Sequence, residues 1–329
     1  MPQRIEALKR WLEDELDFSE YTLNPASSDA SFRRYFRVTH DGTSLIIMDA
    51  PPDREDTRPF VTVDRLLFDV GLNVPEIIDE NPEEGYLLLG DLGSRLYLDE
   101  LNEDTVERLY GDALAALAAI QICRPESGVL PPYDRQLLMT EMQLFRDWLV
   151  GTHLGIELSD ADARMLAATF DRLADNALAQ PQVVVHRDYH SRNLMITESN
   201  NPGIIDFQDA VIGPVTYDLV SLLRDCYIRW PRERIEEWAL GYQDLALQSG
   251  ILREEHEDPK QFLRWFDLMG VQRHLKAAGI FARLNHRDGK PGYLGDIPRT
   301  LGYVVDVAGR HADLGGLGEF VNDRVLARL

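Results

Sequence analysis

The spacing of apolar residues changes about a third of the way along the chain, and this change limits the folds that are possible. The earlier part has short apolar runs that are typical of β-strands: Ser31–Thr39, Ser44–Met48 and Gly85–Leu89. One stretch among them, Arg58–Val70, has helical spacing. The later part has long helical patterns: Thr105–Gln121, Gln136–Val150 and Asp160–Leu178. Glycines at positions 90 and 93 mark a loop or hinge between the two patterns. We therefore predict an α+β protein with a small β-rich N-terminal domain, residues 1–92, and a larger helical C-terminal domain, residues 93–329.

Short apolar runs interrupt the predicted helical domain at Val183–Val185, Leu194–Ile196 and Gly203–Ile205. The polar segment Thr197–Pro202 separates the last two of them, as a turn between two strands would. We predict that a β-hairpin is inserted into the helical domain here.

The formal net charge of -22 disfavours a nucleic-acid partner, because binding to phosphates depends on clustered Lys and Arg. No apolar run approaches the ~20 residues that span a bilayer. The segment Met1–Leu16 mixes charged and apolar residues, unlike a signal peptide. Cys123 and Cys226 form no CxxC pair, as expected in a reducing compartment. We expect a cytoplasmic monomer with no nucleic-acid or membrane partner.

Phosphoryl-transfer chemistry is indicated by His186–Asn193, which reads HRDYHSRN, together with Asp206 at the end of a later strand-like run. Such an enzyme places a carboxylate beside the attacking hydroxyl and oxygen ligands on the magnesium that bridges the phosphates. Asp188 suits the first task. Asn193 and Asp206 suit the second, because the two arms of a hairpin would bring them to one metal site. The sequence therefore predicts a magnesium-dependent kinase that phosphorylates a hydroxyl of a small molecule.

These residues resemble the aminoglycoside phosphotransferase and choline kinase family of the protein-kinase-like fold, whose catalytic loop reads H-x-D-x-x-x-x-N and whose metal strand reads I-D-F or I-D-W. The runs HRDYHSRNLM, IIDFQDAVIGPVTYDLVSLLRD and GVQRHLKAAGIFARL are similar to the bacterial kinases of that family that phosphorylate the anomeric hydroxyl of N-acetylmuramate and N-acetylglucosamine. The resemblance implies a bilobal protein-kinase-like fold, ATP and Mg²⁺ as cofactors, and a sugar substrate taken from the recycling of cell-wall peptidoglycan.

The resemblance also implies roles for single residues. Asp188 would orient the sugar hydroxyl and accept its proton, while Asn193 and Asp206 would hold magnesium. His186 and Arg187 would brace the catalytic loop. Asp218, in the segment TYDL, is expected to stabilise that loop and not to touch the substrate.

The small domain departs from the protein-kinase pattern, because its third strand ends in Met48 where protein kinases place a phosphate-binding Lys. A Gly-rich phosphate loop is also missing, and a Ser-rich turn stands in its place. We expect Ser28 and backbone N–H groups to cover the phosphates, and Arg33 or Arg34 to replace the Lys. The adenine is expected beside the hinge, near Leu89 and Asp91.

A sugar site needs hydrogen-bonding side chains beside an aromatic surface, and an acidic lactyl group would also require Arg or Lys. The candidates in the helical domain are Tyr189, His190, Arg224 and Trp230. The acidic net charge would equally suit a cationic aminoglycoside, so the charge does not decide between these substrates.

Three alternatives stay open at the level of sequence. The acceptor could be another small-molecule hydroxyl, such as one of an aminoglycoside. His186, Asp188 and His190 could instead hold the metal of a hydrolase, since histidine and carboxylate are good zinc ligands. The missing third-strand Lys is also compatible with a nucleotide-binding protein that has no catalytic activity.

Overall fold

Short strands form a five-stranded antiparallel sheet in the N-terminal third of the chain, with strand order β1-β2-β3-β5-β4. The computed structural model describes residues 2–28 and 32–329, the side chains of Pro2, Ser27 and Ser28 excepted. The strands of this sheet are β1 Tyr21–Ser28, β2 Arg34–His40, β3 Thr43–Asp49, β4 Ile77–Asn81 and β5 Tyr86–Gly90. Later short strands are β6 Gln182–Val185, β7 Leu194–Met195, β8 Gly203–Ile204 and β9 Val211–Pro214.

The first helix covers one face of the large sheet. Leu8 of the helix and Trp11 and Leu12, which follow it, have the i, i+3, i+4 spacing of an apolar helix face. They pack against Val38 and Ile47 of the sheet, and all five side chains are almost fully buried. Each buried side chain of this size contributes about 1.5–3 kcal/mol. The sheet therefore has its own hydrophobic core.

Helices account for most of the remaining chain. Their bounds are α1 Pro2–Arg10, α2 Arg58–Phe68, α3 Tyr97–Glu100, α4 Val106–Ile122, α5 Arg135–Leu144, α6 Asp160–Leu178, α7 Tyr217–Leu223, α8 Arg232–Gln248, α9 Pro259–Asp288, α10 Ile297–Ala308 and α11 Gly315–Phe320. Short 3-10 or π-helical segments occur at Trp11–Glu15, Phe145–His153, Glu254–His256, Pro291–Asp296, Ala312–Leu314, Val321–Val325 and Leu326–Arg328.

The contacts divide the chain into two compact units. The smaller unit consists of Met1–Arg95 and Met195–Asp209, and the larger of Leu96–Leu194 and Ala210–Leu329. The sequence prediction places the boundary after residue 92 and assigns the whole hairpin to the helical domain. In the structure the second arm of the hairpin has most of its contacts within the smaller unit, where the Ile204 amide donates to the Asn73 carbonyl oxygen at 2.8 Å. The boundaries of independently folding domains stay a prediction.

The long helix α9 passes very close to the end of α5. At Gly279 a β-carbon would lie 2.3 Å from the carbonyl carbon of Leu144, so only glycine fits there. This close approach brings two buried charged residues together one turn away, Lys276 on α9 and Glu141 on α5.

Most of the predicted elements are confirmed. The predicted strands correspond to β2, β3 and β5, and the predicted helices correspond to α2, α4, α5 and α6. The predicted hairpin pairs β7 with β8, whereas the run Val183–Val185 pairs with β9, which the sequence did not suggest. Strand β1 was also missed, and it includes Ser27 and Ser28 of the predicted phosphate-covering turn. The remainder of that turn, residues 29–31, lies outside the described residues.

Candidate active site

The loop His186–Asn193 joins β6 to β7 in the larger unit, and Asp218 at the start of α7 fixes its backbone. The amides of His186 and Arg187 donate to the Asp218 carboxyl oxygens at 2.6 and 3.0 Å. Arg187 has a φ of 76°, a left-handed conformation that is unfavourable for a residue with a side chain. These hydrogen bonds supply a reason why the strained turn persists. The expectation that Asp218 stabilises the loop is confirmed.

Side chains within the loop hold its remaining turns. Asn193 donates its amide Nδ2 to the Asp188 carbonyl oxygen at 3.0 Å. Ser191 donates its backbone N–H and its hydroxyl to Asp225, at 2.9 and 2.5 Å. The Asp188 amide donates to His186 Nδ1 at 3.2 Å, so His186 braces the loop as expected. Because His186 is almost fully buried and used in this way, its geometry argues against the hydrolase alternative.

Asp188 is held as a carboxylate by the cations around it. Burial by itself would raise the pKa of this carboxyl, but Lys276, followed by His190, Arg187 and Arg273, outweighs burial and holds the pKa below its ordinary value. The half-buried side chain can therefore accept a hydrogen bond, and then a proton, from an alcohol placed beside it.

A buried ion cluster lies behind this loop. Glu141 accepts from Arg187, and Lys276 Nζ lies 3.2 Å from Glu141 Oε1 and 2.9 Å from the Tyr217 hydroxyl. Burial would raise the pKa of Glu141, but Lys276 and Arg187 together lower it. Tyr133 also donates its hydroxyl to Glu141. Sequence analysis missed Glu141 and Lys276, although a Lys among the buried residues of α9 was an available signal.

Asp206 lies in the smaller unit, just after β8, and its backbone φ is 66°. Its Oδ1 accepts from Gln208 Nε2 at 2.8 Å and lies 3.9 Å from Arg33 Nη2. The neighbouring Phe207 packs on Phe60 of α2, with ring centroids 4.8 Å apart. The Asp206 side chain is 35% exposed, so the carboxylate is reachable from solvent. Asp206 thus has a left-handed backbone, as Arg187 does. Strained backbone of this kind is often found at functional sites.

The types of ligand available suit magnesium. An amide oxygen and a carboxylate are the hard oxygen ligands that Mg²⁺ prefers. Asn193 uses its Nδ2 for the loop, which turns the oxygen of its planar amide away from the Asp188 carbonyl. The Asp206 carboxylate is partly exposed. Each residue, described within its own compact unit, thus fits the role that the sequence predicts for it.

The residues predicted to contact the nucleotide phosphates differ in whether their side chains are already engaged by other residues. Arg34 pairs with the fully buried Asp49, which Arg4 also contacts at 2.6 Å, so Arg34 is committed to the sheet. Arg33 Nη2 lies 3.9 Å from Asp206 Oδ1, so the prediction that an arginine replaces the missing Lys now concerns Arg33. Ser28 ends β1, and its side chain lies outside the described residues.

The side chains of the predicted adenine-contact residues, Leu89 and Asp91, are already engaged within the protein. Leu89 is almost fully buried within β5 and pairs with Ile46 of β3. The Asp91 carboxylate accepts from Arg37 at 2.6 Å, from Ser44 at 2.5 Å and from the Gly93 amide at 2.9 Å. Burial would raise the pKa of Asp91, but these donors lower it. The carboxylate therefore fixes the hinge, and no acceptor is left over for a nucleotide.

The predicted substrate residues do not come together. Tyr189 is fully buried and donates its hydroxyl to the Ala113 carbonyl oxygen at 2.8 Å, so the prediction that it contacts substrate is corrected. Arg224 is buried and lies 2.5 Å from Asp267, and Trp230 donates its indole N–H to the Tyr110 hydroxyl at 3.1 Å. Both line a cavity of about 180 Å³ whose lining includes no residue of the catalytic loop. Of the four candidates, only His190 lies in that loop with a partly exposed side chain.

An aromatic surface that the sequence analysis missed adjoins the loop. His190 packs edge-on against Tyr227, with ring centroids 5.4 Å apart. Arg192 lies over the same Tyr227 ring at 4.3 Å and over Tyr293 at 5.7 Å, and Tyr293 stacks on Phe281 at 5.6 Å. Aromatic faces of this kind pack well against sugar rings. The position of Arg192 between Asp188 and Asn193 was the available signal.

Within the described part of the chain, no helix combines the length and the apolar composition that crossing a bilayer requires.

Comparison with known proteins gives consistent results. The profile of a family described as "Phosphotransferase enzyme family" matches residues 22–266. An N-acetylmuramate/N-acetylglucosamine kinase of Pseudomonas putida is 47% identical over 328 residues, which cover 97% of this chain and 96% of the relative. A protein of the same name from Pseudomonas aeruginosa is 50% identical over 300 residues, covering 91% of this chain and 87% of the relative.

Among solved structures, the GDP complex of aminoglycoside 2'-phosphotransferase-IIIa superposes with a TM-score of 0.64. It covers 94% of this chain and 99% of its own, at 13% sequence identity. A likeness at this level of identity shows the fold, and the predicted protein-kinase-like class is confirmed.

Proposed function

The chain belongs to the phosphotransferase enzyme family, and we propose that it is an ATP-dependent kinase of N-acetylmuramate and N-acetylglucosamine. The predicted family resemblance is confirmed, and relatives that match nearly the whole chain bear the name of this kinase. One observation in the structure carries the chemistry: Asp188 is a charged, partly exposed carboxylate on a loop whose backbone is fixed by hydrogen bonds. A carboxylate fixed in this way is what a kinase needs beside its acceptor hydroxyl.

In the proposed reaction the anomeric hydroxyl of the sugar hydrogen-bonds to Asp188. The oxygen of that hydroxyl forms a bond to the γ-phosphorus, the bond between this phosphorus and the β,γ-bridging oxygen breaks, and ADP leaves. The proton of the hydroxyl passes to Asp188, which later releases it to solvent. Lys276 and Arg187 keep Asp188 ionised beforehand, since they offset the cost of burying its charge.

Nucleotide and metal are held by other groups. Magnesium, when bound, neutralises the charge of the phosphates, and Asn193 and Asp206 are the residues we propose as its protein ligands. Arg33 would contact the phosphates in place of the missing Lys. The backbone at Leu89 and Asp91 remains the proposed adenine contact. We further propose that the enzyme is a monomer that acts in the cytoplasm.

The test is a screen for ADP release with N-acetylmuramate, N-acetylglucosamine, choline and an aminoglycoside, followed by phosphorus NMR of the product. We expect magnesium-dependent ADP release with the two N-acetylated sugars, and a sugar 1-phosphate as product. Asp188→Asn is the control that removes the proposed base and keeps its size. Phosphorylation confined to a C6 hydroxyl or to the aminoglycoside would contradict the acceptor. Binding of ATP without turnover of any of these compounds would contradict the kinase itself.

A further inference from the structure

Arg192 is an exposed arginine of the catalytic loop that lies over two aromatic rings. Its guanidinium lies 4.3 Å from the centroid of Tyr227 and 5.7 Å from that of Tyr293. Stacking occupies the flat face of a guanidinium and leaves the N–H groups at its edge pointing outward. The side chain is exposed, so these donors are open to solvent. Arg192 is thus held in place with its hydrogen-bonding edge accessible.

No carboxylate pairs with this guanidinium within residues 2–28 and 32–329, and the ring beneath it is that of Tyr227, which carries a hydroxyl. Burial raises the pKa of that hydroxyl, so the tyrosine is neutral and supplies no counter-charge. Asp225, which lies just before Tyr227 in the chain, is already engaged, because it accepts from Ser191 and from the Tyr227 amide. Arg187, in the same loop, is paired with Glu141 instead. The loop therefore carries one neutralised arginine and one that can accept an outside anion.

Arg192 belongs to the same loop as Asp188, the residue proposed to bind the reacting hydroxyl of the sugar. Arg192 lies in the loop between Asp188 and Asn193, and Asn193 donates to the Asp188 carbonyl oxygen. Its stacking partner Tyr227 also contacts His190, with 5.4 Å between the ring centroids. His190 in turn is one of the groups that interact electrostatically with Asp188. A sugar whose hydroxyl reaches Asp188 would therefore have the Tyr227 and Arg192 surface beside its ring.

The two proposed substrates differ by one acidic group. N-acetylmuramate carries a lactyl ether that ends in a carboxylate, and N-acetylglucosamine has a hydroxyl in the same place. Planar, bidentate pairing with a carboxylate is the interaction that a guanidinium makes best. An exposed arginine also remains hydrated when no anion is present, so its charge carries little desolvation cost with the neutral sugar. A site of this kind can accept both substrates.

We propose that Arg192, stacked between Tyr227 and Tyr293, is the specificity-determining residue that binds the lactyl carboxylate of N-acetylmuramate. This inference rests on the proposed function. It assigns Arg192 to recognition of the substrate, whereas Asp188 acts on the hydroxyl that reacts.

The experiment compares kcat/KM for both sugars in the wild type, Arg192→Met and Arg192→Lys. Arg164→Met is a matched control, because Arg164 is an exposed arginine on α6 whose loss removes the same charge. We expect Arg192→Met to lower kcat/KM for N-acetylmuramate about 10- to 100-fold more than for N-acetylglucosamine, mainly through KM. The kcat/KM of Arg192→Lys for N-acetylmuramate should lie between those of the wild type and Arg192→Met, since lysine keeps the charge and loses the bidentate geometry of the guanidinium. Arg164→Met should leave the ratio unchanged.

A second measurement does not depend on the folding of a variant. The carboxamide of N-acetylmuramate keeps the shape of the lactyl group and lacks its charge, so the wild type should use it about 10- to 100-fold less well than the acid. Arg192→Met should not distinguish acid from amide, because in a double-mutant cycle the two changes remove the same interaction.

The outcomes separate the inference from the proposed function. Equal losses with both sugars in Arg192→Met, or a wild type that uses acid and amide alike, would overturn the role of Arg192 and leave the kinase assignment intact. A wild type that phosphorylates neither sugar would overturn the proposed function and this inference with it.

Discussion

Lys276→Met tests whether the buried ion cluster sustains the charge of Asp188. Lys276 Nζ lies 3.2 Å from Glu141 Oε1. At an effective dielectric constant of about 20, a pair at this distance attracts by about 5 kcal/mol before the cost of desolvation is subtracted. Glu141 also pairs with Arg187, so the loss of Lys276 does not leave it alone. We therefore expect Lys276→Met to lower the free energy of unfolding by only about 1–3 kcal/mol.

Glu141→Gln is the matched variant from the other side of the pair. It leaves two buried cations, Lys276 and Arg187, without their shared carboxylate. Breaking a buried pair in this way typically costs about 3–5 kcal/mol, so Glu141→Gln should be the less stable variant. Urea unfolding followed by circular dichroism, with both variants under the same conditions, measures the difference. If Lys276→Met were the less stable of the two, our account of how the cluster shares its charges would be wrong.

The loss of Lys276 should also change how the activity of the enzyme depends on pH. Lys276 is the cation that contributes most to holding the pKa of Asp188 below its ordinary value, so its loss raises that pKa. Asp188 acts in its ionised form, and a higher pKa moves the acid limb of the pH profile of kcat/KM upward. Lys276→Met should therefore lose more activity at pH 6 than at pH 8. An acid limb that coincides with the wild type would refute the electrostatic role and leave Lys276 as a packing residue.

Other variants test the remaining roles. Asp188→Asn should fold and lose about 10²- to 10⁴-fold in turnover, measured by ADP release, whereas near-normal turnover would refute its assignment as the base. Asp206→Asn should raise the magnesium concentration needed for half-maximal activity by about tenfold or more, and an unchanged requirement would exclude it as a ligand. Asp64 on α2 is buried, and its Oδ2 has no hydrogen-bond partner within the described part of the chain. Burial raises the pKa of Asp64 to about 7 from 3.8, so its ionisation costs stability progressively as pH rises from about 4 to 7. Asp64→Asn should then raise the free energy of unfolding at pH 8 by about 1–3 kcal/mol after allowance for solvent screening, and by less at pH 5, as measured by urea unfolding. An equal increase in the free energy of unfolding at both pH values would show that charge is not the cause.

The predictions that depend on local pattern were the ones that succeeded. Strands β2, β3 and β5 and the long helices follow from the spacing of apolar residues, because each element buries one face of its own segment. The loop from His186 to Asn193 was recognised because its residue types occur at fixed, short spacing. The expected role of Asp218 follows from the same motif, and the hydrogen bonds at 2.6 and 3.0 Å confirm it.

Predictions of individual contacts were less successful, since they depend on which segments meet in space. Tyr189 follows Asp188 directly, but its side chain points into the core and donates to Ala113. Arg34 is one residue from Arg33, yet alternation along the strand sends it to Asp49. Neighbours in sequence thus received different partners; alternation tells which side chains share a face, but it does not say which partner each one meets.

The amino-acid order alone determined the class of fold, the family and the loop that carries the chemistry, because those depend on periodicity and on a compact motif. Only the tertiary structure decided what surrounds Asp188. Lys276 and Glu141 are 135 residues apart in the chain, and they meet because Gly279 lets their two helices approach closely. Tyr227 and Tyr293 likewise reach Arg192 from separate segments. Charge and stacking act through distance in space, and that distance is fixed by packing.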